Sequence, residues 1–319
     1  IFSYVFLFYL YDNFSKFSIM FLWDKSFRLK GFWYYILGSF LIILFNTFAQ
    51  IPLLSFASWD SITPDSNPMD IFNDISKNLR FFLLLLTFVL TVPGILLVVN
   101  KLHDLPIMSI ISKRKKIDYN RILFAFTIAG TIISLSVLIG YYLSPENYEL
   151  NFKLKEFLIL TIIAILFVPI QTSVEEIVFR GYLMQGFGHW LNSRFMALFL
   201  TSTIFGFLHF FNPEINKLGN SFIILYIISS FTFGIMTLMD EGLELAMGFH
   251  AGNNLFIALL LTADWTVFNT DSLLIDISDP KIGLTDFIAP LILYPLILLI
   301  FSKKYSWSNW KQKLISKIR

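Results

Sequence analysis

Phe81 to Asn100 reads FFLLLLTFVLTVPGILLVVN, a run without a single charge. As a helix it would rise about 30 Å, which matches the hydrocarbon core of a bilayer. Outward from it, comparable apolar runs occupy 32–57, 122–143, 156–172, 195–211, 221–239, 245–263 and 285–302. None alternates polar and apolar residues as barrel strands do, so the pattern predicts helices. Composition points the same way. Of 319 residues, 56% are hydrophobic and only 14% charged, against about 25% charge in soluble domains, and the mean hydropathy is +0.70. So few charges cannot cover a water-facing surface, which excludes soluble enzymes, coiled coils and disordered chains. The net charge of +2 argues against a polyanionic partner, so no nucleic acid is expected. Without cysteine there is no disulfide, thiolate metal site or cysteine nucleophile. The predicted fold class is all-α: a polytopic membrane bundle of about eight transmembrane helices around an intramembrane cavity, forming one integral-membrane domain over 1–319. The opening stretch 1–22 is apolar but broken by Asp12 and Lys16. It lacks a basic leader and a small-residue cleavage site, and reads as a partial span or interfacial helix rather than a signal peptide.

Orientation follows the lysines and arginines. Lys25, Arg28 and Lys30 precede the first span, Lys113 to Lys116 follow the second, and Lys303, Lys304, Lys311, Lys313, Lys317 and Arg319 follow the last. The alternate loops carry Asp60, Asp65, Asp70 and Asp74, then Asp264, Asp271, Asp276 and Asp279. Eight spans with both termini cytoplasmic fit this alternation. Asp240, Glu241 and Glu244 fit it poorly, because they fall on the basic side. The loops 58–80 and 264–284 are too short to be domains.

Ionisable residues inside membrane segments are costly and mark function. Ser173 to Tyr182 reads SVEEIVFRGY. On a helix Glu176 and Arg180 share a face, in the favourable acid-first order, while Glu175 points about 100° away. One carboxylate is neutralised and its neighbour is left to move protons. The plainer reading is an interfacial helix end with a local salt bridge. Two histidines sit in further spans: His209 in Phe205-Gly-Phe-Leu-His209, and His250 one turn before Asn254. A lone histidine on an apolar face is usually a hydrogen-bonded core residue, but two with an unpaired glutamate point to a site. His103 and His189 read as surface residues. Glu214 and Asp286 lie near span ends, where charge can reach water. Pro93, Pro169 and Pro290 read as kinks or boundaries. Trp33, Tyr34, Tyr35 and Trp59 read as an interfacial belt.

These three segments together resemble the CAAX-protease and bacteriocin-processing family, which includes the type II CAAX prenyl endopeptidases. The family shows two glutamates, three residues and arginine; then phenylalanine, three residues and histidine; then histidine, three residues and asparagine or aspartate. Glu175, Glu176 and Arg180, Phe205 and His209, and His250 and Asn254 match in order and spacing. The likeness covers roughly 155–262, the motif-bearing core. It implies an intramembrane endopeptidase acting on a membrane-associated protein or peptide. Glu175 and His209 would activate water, His250 and Asn254 would stabilise the oxyanion, and Glu176, Arg180 and Phe205 would support them. Glu175, His209 and His250 are also an acceptable zinc set, so the cofactor is none or zinc. Glu176 is committed to Arg180 and Asn254 suits an oxyanion better than a zinc shell, which tilts toward no metal. A non-catalytic immunity or scaffold protein of the same family and a proton-coupled transporter are the alternatives. Usage rich in Phe, Ile, Lys and Asn suggests the plasma membrane of a low-GC bacterium.

Depth poses a difficulty. His209 lies about 22 Å along its helix from Arg194, whereas His250 and Glu175 fall near the inner side. Either 172–194 re-enters the membrane, broken near Pro169, or the span ends are displaced. The resemblance favours a cytosol-facing cavity.

Overall fold

The computed structural model describes residues 31–59 and 69–318. The readings of 1–22, of Lys25, Arg28 and Lys30, and of Asp60, Asp65 and Arg319 lie outside them. Every apolar run is helical over most of its length. The helices are α1 (Phe32–Leu54), α2 (Lys77–Leu102), α3 (Tyr119–Leu143), α4 (Leu154–Leu191), α5 (Arg194–Phe211) and α6 (Asn220–Asp240), then α7 (Glu244–Leu260) and α8 (Leu284–Lys304). Among the described residues, the 7 helices other than α7 are long and apolar enough to cross a membrane. The protein is therefore an integral membrane helix bundle.

Several starts follow from local chemistry. Ser76, Asp118 and Ser193 accept hydrogen bonds from the free N–H groups at the first turns of α2, α3 and α5. The 17 residues of α7 make a short span for a different reason. Its first nine residues, Glu244–Gly252, are all buried, because α7 is the centre of the bundle, packed on α3, α4 and α6. Gly248 and Gly252, one turn apart, lie against the Ile122 and Phe126 carbonyls of α3, and a Cβ on Gly252 would stand 2.5 Å from the latter. Small residues at this spacing let two backbones approach closely in a membrane.

Pro93, Pro169 and Pro290 lie inside helices, and none marks a boundary. The helix carrying Pro169 runs 38 residues to Leu191. It includes a π-helical stretch at Ile177–Leu183, the wider form often found where a helix carries function. Strands also form, which hydropathy does not predict. β1 (Tyr148–Leu150), β2 (Leu261–Thr262) and β3 (Leu274–Asp276) make a small sheet with β3 central, antiparallel to β1 and parallel to β2.

The bundle has two chemically different ends. One gathers 103–118, the α4–α5 and α6–α7 turns and the segment after α8. Here Arg114 bonds Asp240 at 2.9 Å and Glu244 at 3.0 Å, Arg121 and Trp307 also reach Asp240, and Lys113 pairs with Glu241. The acids that fit the charge alternation poorly are the partners of the basic residues around them. The other end gathers the loops after α1, α3, α5 and α7 and the small sheet. His103 is not a surface residue: it is buried, 2.9 Å from the Tyr182 hydroxyl, beside Tyr35, which is buried too and so leaves the aromatic belt. His189, Trp33, Tyr34 and Trp59 are exposed.

Candidate active site

Helix α4 carries two polar stripes, each at helical spacing. Thr172, Glu176 and Arg180 face the core and are completely buried. Gln171 and Glu175 face a cavity of about 1070 Å³. Arg180 Nη1 donates to Glu176 Oε1 at 2.9 Å, and Nη2 donates to the Ser230 hydroxyl at 2.6 Å and to its carbonyl at 3.2 Å. The guanidinium also lies over the rings of Phe205 and Phe233, with its carbon 4.5 and 5.4 Å from their centroids. A buried charge needs this many partners, because its desolvation is repaid only by a full set of them.

His250 joins the two stripes. Its Nδ1 lies 2.8 Å from Glu176 Oε1 and its Nε2 lies 3.5 Å from Glu175 Oε2. Glu175 is thus less isolated than helix geometry alone implies. The carboxylate of Glu176 can only accept, which assigns a proton to Nδ1 and leaves Nε2 facing Glu175. His209 is oriented in the same manner. Its Nδ1 lies 2.8 Å from the Phe205 carbonyl, so Nδ1 donates and Nε2 is free. Asn254 donates to Gln171 Oε1 at 3.2 Å and accepts from Asn253 at 3.1 Å. Glu175, Phe205, His209, His250 and Asn254 all line the one cavity.

The depth difficulty disappears with the true length of α4. Glu175 precedes Leu191 by sixteen residues and His209 follows Arg194 by fifteen. At 1.5 Å per residue both stand about 22–24 Å from the α4–α5 turn, so an antiparallel hairpin brings them level. No break occurs at Pro169; the span end at 172 was displaced. His250 reaches the same level because the α6–α7 turn sits higher in the bundle. Ser230 and His250 lie ten residues either side of Asp240, opposite Arg180 and Glu176.

Four participants are missed by motif spacing. Tyr226 stacks on His209 at 4.2 Å and 24°. Phe233 stacks on His250 at 4.9 Å and 28°. With Ser230 they form one face of α6, a signal that an apolar helix with aromatic core residues would also give. Gln171 is the fourth, one turn before Glu175. Glu214 is likewise not at water's edge: it is buried in the short helix Pro213–Leu218 after α5, where it accepts from Val267 N at 3.1 Å. Burial pushes its carboxyl above the ordinary value, partly offset by backbone N–H groups.

Among the described residues no three His, Asp or Glu side chains are arranged to hold a metal ion. Glu175, His209 and His250 share the cavity, and in both histidines Nδ1 is engaged, by Glu176 and by the Phe205 carbonyl, which leaves Nε2 of each on the cavity side.

Residues 154–256 match the family model "Type II CAAX prenyl endopeptidase Rce1-like". The match contains Glu175, Glu176, Arg180, Phe205, His209, His250 and Asn254, so the family resemblance of the three segments holds. The uncharacterised protein YyaK of Bacillus subtilis (strain 168) is 32% identical over 183 residues, covering 57% of this chain and 61% of that protein. The alignment thus spans less than two thirds of that relative. No solved structure matches the chain.

Proposed function

We propose that this protein is an intramembrane endopeptidase that hydrolyses a peptide bond in a membrane-associated protein or peptide. The observation that carries the reading is the division of labour on α4. Glu176 is committed to Arg180 and His250, while adjacent Glu175 faces the cavity beside His250 Nε2. Hydrolysis needs a base for water, donors for the oxyanion and a proton for the leaving amine. Glu175 takes a proton as the water oxygen attacks the scissile carbonyl, with the free Nε2 of His209 orienting that water. The negative charge developing on the carbonyl oxygen is met by Asn254 Nδ2–H and by His250 when its Nε2 is protonated. As the C–N bond breaks, the proton held by Glu175 passes to the nitrogen, giving a carboxylate and an amine. Each histidine is held by an aromatic ring of α6, and such preorganisation is what an electrostatic site requires.

The basic residues gather at the end of the bundle where residues 31 and 318 lie. By the positive-inside rule this end, with residues 31 and 318, is cytoplasmic. Similarity to a Bacillus subtilis protein supports a bacterial plasma membrane.

Cleavage of a panel of membrane-associated peptides by the purified chain tests the function. Glu175→Gln should lower turnover roughly 10²- to 10⁴-fold with unchanged accumulation in the membrane. Undiminished turnover would remove Glu175 as the base. A parent chain that cleaves none of the panel would favour the non-catalytic reading.

A further inference from the structure

The cavity has a direction. Beyond the helices, its lining comes from Asn212, Glu214, residues 261–263 and 265–268 and Asp276, all at the end of the small sheet. No lining residue belongs to the opposite end, where Arg114, Asp240 and Trp307 meet. Among the described residues that opposite end holds twelve Lys and Arg and five Asp and Glu, whereas the cavity end holds six and eleven. The retention of Lys and Arg in the cytoplasm orients helix bundles. Cytoplasmic basic loops and a cytosol-facing cavity therefore cannot both hold. The charge asymmetry is spread over four connections, while the expectation of a cytosolic cavity came from resemblance alone.

The wall has a sign as well. Glu175, Glu214 and Asp276 line the cavity, Glu214 being shifted toward its neutral form by burial, and among the described residues no Lys or Arg does. The loop around Asp264, Asp271 and Asp279 lies beside the same mouth. Clefts lined by one sign of charge within low-dielectric walls focus the field and concentrate the opposite charge. A carboxylate terminus would find no cation here to receive it.

We propose that the cavity opens on the non-cytoplasmic face of the membrane and admits a cationic segment of an exported polypeptide. The polypeptide substrate rests on the endopeptidase reading; the direction and charge of the cavity do not. The absence of native cysteine permits a test without turnover. Asp279→Cys marks an exposed site at the mouth, Lys116→Cys an exposed site at the basic end, and Ser229→Cys the cavity wall. In intact cells an impermeant maleimide should label Asp279→Cys, and should label Lys116→Cys only after permeabilisation. At Ser229→Cys a trimethylammonium methanethiosulfonate should react roughly tenfold faster than its sulfonate counterpart, relative to the same ratio at Lys116→Cys in permeabilised cells. Labelling of Lys116→Cys but not Asp279→Cys in intact cells would overturn the direction. Ser229→Cys inert to both external reagents would show the cavity closed to that face, and equal rates would remove the cationic preference. Failure of the endopeptidase reading would appear separately, as absent cleavage in a chain that labels as expected.

Discussion

Arg180 is completely buried; three of its five N–H donors are met by one carboxylate, one hydroxyl and one carbonyl, its planar face lies over two aromatic rings, and Nε finds no acceptor. Removing a partner from such a pair strands a charge in a low-dielectric interior, which costs on the order of 3–5 kcal/mol. Arg180→Ala and Glu176→Ala should each lower unfolding stability in detergent by that amount. The double variant Glu176→Gln/Arg180→Met should recover part of it, because neither change then leaves an unpaired ion. Single variants as stable as the parent would mean the pair does not support the fold. The i, i+4 spacing made this pair legible from the chain alone. The bond from His250 to Glu176 was not legible, since 74 residues separate them and no local pattern encodes their meeting.

Helix α7 shows what an element contributes beyond its hydropathy. Its run of apolar and small residues reads like the other spans, yet it is too short for a lipid-facing role and is sheathed by α3, α4 and α6. That sheath is what lets it carry His250, Asn253 and Asn254 at depth. Close approach to α3 depends on Gly248 and Gly252. Gly252→Ala places a methyl against the Phe126 carbonyl, and overpacking of this kind costs about 1–3 kcal/mol. A lower melting temperature in detergent is expected for Gly252→Ala, with no change for Gly31→Ala, where a Cβ meets nothing within 4 Å. Equal melting of the two would show that the α3–α7 contact yields easily. The length of α4 was the element that hydropathy misread. Glu175, Glu176 and Arg180 look like the end of a span, but Glu176 and Arg180 neutralise each other and are bonded by His250 of α7 and Ser230 of α6, so the helix continues.

Over the whole molecule, opposite chemistry at the two ends governs both assembly and access. At the basic end Arg114 joins the loop after α2 to the α6–α7 turn. At the cavity end Glu214 joins the short helix after α5 to the loop after α7. Because burial raises the Glu214 carboxyl, its protonated form suits the fold better than the charged form. Its contribution to stability is therefore complete below its ordinary value of 4.5 and is lost as pH rises through the folded value. Glu214→Gln, which keeps an acceptor for Val267 N, should melt above the parent near neutral pH, with the gap closing toward pH 4. A constant gap across that range would show that Glu214 does not titrate with unfolding. Helix number, the membrane environment, the basic and acidic ends and the Glu176–Arg180 pair were determined by the sequence itself, since they rest on hydropathy and on contacts within one helical turn. Only the tertiary structure decided that Glu175 and His209 stand level, that His250 lies between the two glutamates, that Tyr226 and Phe233 clamp the histidines, and that no residue of the basic end lines the cavity. Each of these depends on how far a helix runs and which neighbour it meets, and packing between segments distant in the chain sets both.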